Sequence, residues 1–326
     1  MNIVSSICRR AALTRPAFIR PAFIRAAFAA TVLSVAIPMA AGDVASAEGR
    51  YVKSLAPRAS LVPDSAFYVG LGGSFNAMHY GTQDVYAVGT SNVYLGGALQ
   101  SFGSALGPAY IDLEDQNNIS FAVQGGYFQR FNNSDMLWGA KFAYSYLNGS
   151  SSVRNALLPQ VGSFTTVPGG VVTPFTGNAL VRSYKVEMLH QMALIPFIGR
   201  SFSRGFVYGG VGPTLSQIST KLDGVIGFAD LNGTRTDVSG NPINLSSTRW
   251  VYGGAATVGG TYFLDASWFL DFSYTFAMTQ NNNNDYFSPF TNPNGTGGST
   301  IEGTLVGTTS GKVTTQSVTV SINRAF

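Results

Sequence analysis

Apolar and polar residues alternate with a period of two in short segments spread over the chain after residue 64. In the segment 65–81, apolar side chains such as Phe67, Val69 and Leu71 occupy one face, and mainly small or polar side chains occupy the other. This period is typical of β-strands with one apolar face. Eight such segments occur, although the facing of the Gly-rich fifth is ambiguous: 65–81, 119–131, 137–150, 183–200, 205–222, 247–264, 268–278 and 312–326.

The connections between these segments alternate between very short and very long. Three are tight turns, such as Asn132–Asp135, and four are long: 82–118, 151–182, 223–246 and 281–311. Each segment has the ~9 to 11 residues that a tilted membrane strand needs, and an even number of strands closes a barrel. The pattern predicts an all-β fold, a transmembrane antiparallel up-and-down β-barrel of eight strands. Both termini and the short turns lie on the periplasmic side, and the long loops are extracellular.

Aromatic residues flank the predicted short turns. We interpret them as a girdle at the membrane interface. They are Phe67, Phe128, Phe131, Trp138, Phe197, Phe202, Phe206, Tyr262, Phe263, Trp268, Phe269 and Phe326. The competing fold is a soluble β-sandwich, but strands this aromatic, with so few charges, would leave its water-facing surface poorly solvated. The Asn-, Gly- and Thr-rich tract 281–298 predicts a mobile loop tip.

The composition supports a membrane barrel. Of 326 residues, 38 are Gly, 13% are aromatic and 11% are charged. Outside the N-terminal region there is no run of about 18 apolar residues, which excludes helical membrane spans. The net charge of +4 arises in the first 47 residues, which hold five Arg and one Asp; the 20 basic and 16 acidic side chains of the whole chain therefore leave 15 of each afterwards. A neutral mature chain without basic clusters does not predict nucleic-acid binding.

The N-terminal segment has the parts of a secretory signal: an Arg-rich start, an apolar stretch at Ala26–Ala41 and the small-residue cleavage site Ala45–Ala47. We predict a signal peptide at 1–47, a short periplasmic extension at 48–64 and the barrel at 65–326. Arg9-Arg10 leaves the twin-arginine route as an alternative, but that route carries folded cargo. Cys8 is the only cysteine, so the mature chain has no disulfide, thiol nucleophile or cysteine metal site.

The opening tract 66–73 (AFYVGLGG) and the closing tract 318–326 (VTVSINRAF) resemble the small eight-stranded outer-membrane barrels of Gram-negative bacteria. The similarity is to the OmpA- and OmpX-like barrels, in particular their alphaproteobacterial surface-antigen relatives. It implies a monomer in the outer membrane, contact with lipid and lipopolysaccharide, and Phe326 as part of the signal read by the barrel-assembly machinery. It also implies that any extracellular partner binds the loops. These loops are longer than in the smallest members, so one of them can hide an added hairpin.

Four charged residues face the lumen in the predicted register: Lys141, Lys185, Glu187 and Asp271. Bare charges in a narrow lumen are costly, so we expect them to form a salt-bridge and hydrogen-bond plug that blocks flow. The alternative is a narrow water path in which the same charges set a weak ion selectivity.

Catalytic and metal-binding patterns are weak. His79 reads as a solvated rim residue and His190 as a packing or lipid-interface residue, with no distinctive Ser/His/acid spacing. Asp112, Glu114 and Asp115 lack a defined cation-ligand spacing. The sequence therefore predicts a surface protein with a structural and interaction role, no enzymatic activity, no metal and no cofactor. A narrow passive porin is the alternative, and a lipid-modifying or proteolytic outer-membrane enzyme is a third, less favoured reading.

Overall fold

A computed structural model describes residues 60–326 except Asn232. The predicted signal peptide, 1–47, and most of the predicted extension, 48–64, lie outside the described residues. Within the described part no helix is long and apolar enough to cross a membrane. The structure consists of antiparallel strands and one short 3-10 turn, Thr296–Gly298. The strands are β1 Ser65–His79, β2 Thr82–Leu95, β3 Ala98–Asp112, β4 Gln116–Arg130, β5 Met136–Thr166, β6 Val172–Phe202, β7 Gly205–Leu231, β8 Thr234–Asp237, β9 Ile243–Phe263, β10 Trp268–Thr279, β11 Asn284–Gly295, β12 Ser299–Ser310 and β13 Thr314–Ala325.

Eight strands close a barrel in the cyclic order β1, β4, β5, β6, β7, β9, β10, β13 and back to β1. They coincide with the eight predicted segments, which confirms the fold class. Three short turns join β4 to β5, β6 to β7 and β9 to β10. We call this the short-turn end of the barrel; residue 60 and Phe326 both lie there, as predicted.

The outer face of this barrel carries the apolar belt of a transmembrane β-barrel. Its exposed side chains include Val69, Leu71, Phe75, Phe121, Phe142, Leu194, Ile198, Val211, Val258, Phe272, Val320 and Ile322. Aromatic residues border the belt at both ends, with Trp138 near the short-turn end and Tyr146 on the same strand above it. Eight residues of a strand tilted by about 40° span roughly 20 Å along the axis, close to the ~25 Å band of such proteins.

The predicted girdle divides between the two faces of the barrel wall. Seven residues lie on the outside as predicted: Phe67, Phe131, Trp138, Phe202, Tyr262, Trp268 and Phe326. The other five are buried inside the barrel, and that part of the prediction was wrong: Phe128, Phe197, Phe206, Phe263 and Phe269. The aromatic content of a segment indicates that a turn is near, but it does not show on which face of the strand each ring lies. The register of the strand determines that face.

The long connections are not irregular loops. β2–β3 and β11–β12 are hairpins, and β5, β6 and β7 continue past the apolar belt to Thr166, Val172 and Leu231. These pieces pair in the order β11, β12, β2, β3, β5, β6, β7, with β8 on β7. We call this second tier the outer wall. Most of the tract 281–298, predicted as a loop tip, is strand β11, so that part of the prediction was wrong; its end, Thr296–Gly298, is the turn at the tip of the β11–β12 hairpin.

Candidate functional site

The centre of the transmembrane lumen holds a buried ion pair between Lys141 of β5 and Asp271 of β10. Lys141 Nζ lies 2.7 Å from Asp271 Oδ2, and both side chains are at least 95% buried, with 5% and 3% exposed. Both residues occupy inward positions in strands whose outward positions are aromatic or aliphatic. An ion pair at this depth is tolerated only when hydrogen bonds satisfy its remaining polar groups.

Those hydrogen bonds are present. Tyr208 donates its hydroxyl to Asp271 Oδ1 (2.8 Å) and accepts from Lys141 Nζ (3.0 Å). Gln124 donates Nε2 to Asp271 Oδ2 (3.1 Å) and to Asn323 Oδ1 (2.8 Å). Groups from β4, β5 and β7 therefore meet at the carboxylate of β10, and Gln124 links this cluster to Asn323 of β13. A network of this kind, fully satisfied, fixes the relative positions of strands on opposite sides of the lumen.

A second polar group continues this layer beside β1. Asn76 donates Nδ2 to Ser120 Oγ (2.8 Å), while its Oδ1 accepts from Ser74 (2.9 Å) and Ser317 (2.7 Å). The polar layer contains a void of ≈ 40 Å³ beside Lys141. Together, the two networks leave no wide aqueous path through this part of the described lumen.

An aromatic layer closes the lumen at the short-turn end. Phe128 and Phe206 have ring centroids 5.1 Å apart, and Phe263 and Phe269 stack at 4.8 Å. Residue Val62, only 3% exposed, joins this apolar cluster from the segment before β1. The Arg130 side chain donates to the carbonyl of Val62 (3.3 Å), and Leu61 N–H donates to Ser203 O (2.9 Å) in the β6–β7 turn. Residues 60–64, before β1, thus pack against the mouth of the barrel.

A second apolar layer closes the lumen on the opposite side of the ion pair. Its largest members are fully buried: Met78, Tyr80, Leu147, Tyr184, Met188 and Ile218. It lies where the transmembrane barrel passes into the outer wall. The lumen is therefore layered: aromatic at the short-turn end, polar with one ion pair in the middle, and apolar above.

Lys185 and Glu187 do not face the lumen, and that prediction was wrong. Tyr184, Val186 and Met188 are the buried residues of this part of β6, so Lys185 and Glu187 lie on its outer face. The cause is a register shift between Met188 and His190, matched by one between Tyr146 and Gly149 on β5. An extra residue at a β-bulge reverses the facing of every following side chain.

Glu187 lies between two lysines on this outer face, beyond the apolar belt. Its Oε1 is 2.6 Å from Lys185 Nζ and its Oε2 is 2.8 Å from Lys221 Nζ. Partial burial acts to raise the pKa of the Glu187 carboxyl, but hydrogen bonds and charge from the two lysines outweigh it and hold the pKa below its ordinary value. The carboxylate ties β6 to β7 above the membrane belt.

The two histidines occupy the places expected from the sequence. His79 pairs with Asp115 at an exposed position near the outer end of β1. The ring of His190 lies among Tyr144, Tyr146 and Trp250, and its Nδ1 is 2.9 Å from the Tyr144 hydroxyl. Among the described residues no three acidic, His or Cys side chains form a group that could hold a metal.

Phe326 lies at the short-turn end with its ring on the outer surface, 69% exposed. Its backbone N–H donates to Phe67 O (2.9 Å), so it extends the pairing of the last strand with the first. Arg324 lies over the ring, 5.2 Å from its centroid.

Tyr208 is the important lumen residue that sequence reasoning missed, because the facing of the Gly-rich β7 was ambiguous. The signal was available in the neighbouring strand. Gly259 pairs with Tyr208, and the bare α-carbon of a strand glycine often marks the place where a large side chain lies.

Comparison with known proteins gives structural likeness alone. No protein-family model and no curated protein matches the chain. Solved structures with similarity include the outer membrane protein OprG from Pseudomonas aeruginosa, with 10% identity, 82% of this chain and 99% of that chain covered, and a TM-score of 0.34. Neisserial surface protein A has 10% identity, coverage of 75% and 97%, and a TM-score of 0.27. The outer membrane protease OmpT from Escherichia coli has 11% identity, coverage of 80% and 97%, and a TM-score of 0.28. At these TM-scores the fold assignment rests on the strand ladders described above.

Proposed function

We propose that this protein is a plugged outer-membrane barrel of a Gram-negative bacterium that holds a folded outer wall at the cell surface. Its role is structural and interactive rather than catalytic or conducting. The observation that carries the proposal is the Lys141–Asp271 network, which fills the lumen between two apolar layers. Eight strands enclose an interior that side chains can fill, and an open aqueous channel needs about 16.

The apolar belt supports a bilayer location. Lipid contacts the belt, and the charged cluster Lys185, Glu187 and Lys221 beyond it lies at the height of lipid headgroups. We propose that the chain is exported through a signal peptide, residues 1–47, that is then cleaved, and that it is assembled as a monomer through recognition of Phe326. The outer wall is displayed in contact with lipopolysaccharide and the medium, and it is the surface on which an extracellular partner binds.

The narrow porin remains the alternative, and the layered lumen does not favour it. A water path past Lys141 would have to cross both apolar layers, and the void between them measures only ≈ 40 Å³. An outer-membrane enzyme is supported by no constellation among the described residues: both histidines contact rings or a single exposed carboxylate.

Single-cysteine labelling tests the location and orientation. Cys8 is the only cysteine of the sequence, so a chain from which residues 1–47 have been cleaved contains none. A single introduced cysteine therefore reports on one position. Ser104→Cys lies on the exposed face of β3 in the outer wall, and Asn132→Cys lies in the β4–β5 turn. On intact cells we expect a membrane-impermeant maleimide to label Ser104→Cys and to label Asn132→Cys only after permeabilisation. Labelling of Asn132→Cys alone on intact cells would reverse the proposed orientation.

A further inference from the structure

The outer wall encloses an apolar cavity of ≈ 190 Å³ above the second apolar layer. Residues from β2, β3, β5, β6, β7, β9, β11 and β12 line it, so it lies inside the second tier. An engineered cavity of about 150 Å³ lined by apolar side chains binds benzene. The space above the lumen is therefore large enough for a molecule built on one aromatic ring.

The lining has the chemistry of a site for small uncharged molecules. Its 24 residues include no Asp, Glu, Lys or Arg. Small side chains in the lining leave room for a ligand; they include Ala87, Ala105 and Ala179. Aromatic surface comes from the rings of Phe164, Phe175, Phe228 and Phe290. A charged ligand would lose its hydration here without gaining a charged partner. Hydroxyl residues, among them Thr90, Ser91, Ser101 and Ser239, also line the cavity, so the lining favours neutral molecules that are mainly apolar.

Two amide side chains in the lining, Gln160 and Asn178, carry hydrogen-bonding groups. Gln160 is 8% exposed, and its Nε2 donates to Gly107 O and Pro159 O at 3.4 and 3.2 Å. Asn178, in the same lining, makes no side-chain hydrogen bond to any other residue in the described part of the chain. Sites for small molecules are mostly apolar with a few polar groups that orient the ligand.

The cavity ends blindly toward the membrane. Beneath it, Leu158, Leu222 and Tyr286 leave only a void of ≈ 20 Å³. Below that void lies the apolar layer that contains Tyr184 and Met188, both fully buried. A molecule that enters the cavity cannot continue along the barrel axis, so the cavity retains ligands and does not conduct them.

The outer wall has a seam beside the cavity. β11 pairs with β12, and no ladder joins its other edge to β8 or β9 in residues 60–326. Phe290 of β11 and Ile243 of β9 line the cavity from opposite sides of the seam. Pro289 and Pro293 lie in β11, and proline suits an unpaired edge because it cannot donate to a neighbouring strand. No backbone ladder therefore crosses the outer wall at this seam.

From these observations we propose that the outer-wall cavity binds a small uncharged molecule with a single aromatic ring or an apolar group of similar size. This goes beyond the proposed surface role and does not depend on it, since a blind pocket can bind whether or not the lumen below conducts. Phe164, Phe175, Phe228 and Phe290 contact the ligand, and Asn178 donates or accepts one hydrogen bond.

Fluorobenzene and 4-fluorobenzoate are matched probes, because they share a ring and differ in charge. ¹⁹F NMR on the folded protein in lipid nanodiscs measures their binding. The signal of probe that has partitioned into the lipid is subtracted by comparison with a variant whose cavity is filled. Gly89 lines the cavity, and a Cβ added there would have nothing within 4 Å. Gly89→Phe therefore adds a ring at a cavity-lining position whose Cβ meets nothing. Gly254→Phe is the control, because Gly254 has the same free space around an added Cβ but does not line the cavity.

We expect saturable fluorobenzene binding by the wild-type protein and by Gly254→Phe, loss of the saturable component in Gly89→Phe, and no saturable binding of 4-fluorobenzoate. Equal fluorobenzene binding by Gly89→Phe and wild type would overturn the proposal, as would competition by 4-fluorobenzoate. A heat-dependent mobility shift in SDS shows whether each variant has folded. If Gly89→Phe does not fold, Gly89→Leu replaces it, with the same result expected.

Discussion

Tyr208 lies directly over the bare α-carbon of Gly259, its partner in the β7–β9 ladder. A Cβ added to Gly259 would come within 2.6 Å of the Tyr208 ring and hydroxyl. The glycine leaves room for the ring, and the ring places its hydroxyl 2.8 Å from Asp271 Oδ1. The lumen network thus depends on a residue that takes no part in its hydrogen bonds.

Gly259→Ala is expected to destabilise the barrel, because Tyr208 must move and its bond to Asp271 is then lost. Overpacking of this kind costs about 1–3 kcal/mol. Gly254→Ala on the same strand is the matched control, since its Cβ meets nothing within 4 Å. Urea unfolding in detergent measures both variants. Equal midpoints would show that Tyr208 is not held by close contact with Gly259.

Asp271→Asn is expected to lower stability strongly, because Lys141 is left in a buried site without a counterion. Breaking a buried pair from one side costs roughly 3–5 kcal/mol, whereas replacing both partners by apolar residues is often neutral. The double variant Lys141→Met, Asp271→Leu should therefore recover much of the loss. Asp285→Asn, on the outer face of exposed β11, is the control. If the double variant were no more stable than Asp271→Asn, the ion pair would not explain the effect.

How far these residues follow from the sequence depends on register. Alternation placed Lys141 and Asp271 inward, because β5 and β10 run without interruption from the short-turn end to those positions. It failed for Lys185 and Glu187, which lie beyond a bulge that the pattern does not reveal. The apolar residues Val186 and Met188 face inward in a tier whose interior is itself apolar, so the rule that polar residues face the lumen reverses there.

The hairpins of the outer wall were predictable in part. Gly96 and Gly97 join β2 to β3 with φ values of 58° and 82°. A two-residue Gly-Gly connection between alternating segments is a strong hairpin signal. The pairing of β2 with β12 was not predictable from local pattern, because these strands lie about 200 residues apart and only the closed barrel beneath brings them together.

The ion pairs of Glu187 with Lys185 and Lys221 are expected to make the stability of the protein depend on pH. The carboxyl has a folded-state pKa below its ordinary value of 4.5. Its contribution to stability is therefore complete above pH 4.5 and is lost as the pH falls through the lower folded-state value. Glu187→Gln should lower the thermal unfolding temperature at pH 7, and the two proteins should converge in acid. A difference that is constant from pH 7 to pH 3 would contradict the ion-pair account.

Deletion of Phe326 is expected to reduce the amount of folded protein in the outer membrane, because the residue ends the closing strand and displays its ring on the outer surface. Phe202→Ala removes another exposed aromatic residue at the same end of the barrel and is the control. Fractionation followed by the SDS mobility assay measures folded protein. Normal levels of the deletion variant would show that Phe326 is not needed for assembly.

Lys141, Asp271 and Tyr208 close the lumen between two apolar layers. Single-channel conductance in planar bilayers tests this closure directly. The purified, heat-modifiable protein is inserted and recorded in 1 M KCl over both polarities. We expect no stable open state of the wild-type protein at either polarity. A stable pore in the wild-type protein, with an ion selectivity that changes on Lys141→Met, would contradict it and establish the narrow porin instead.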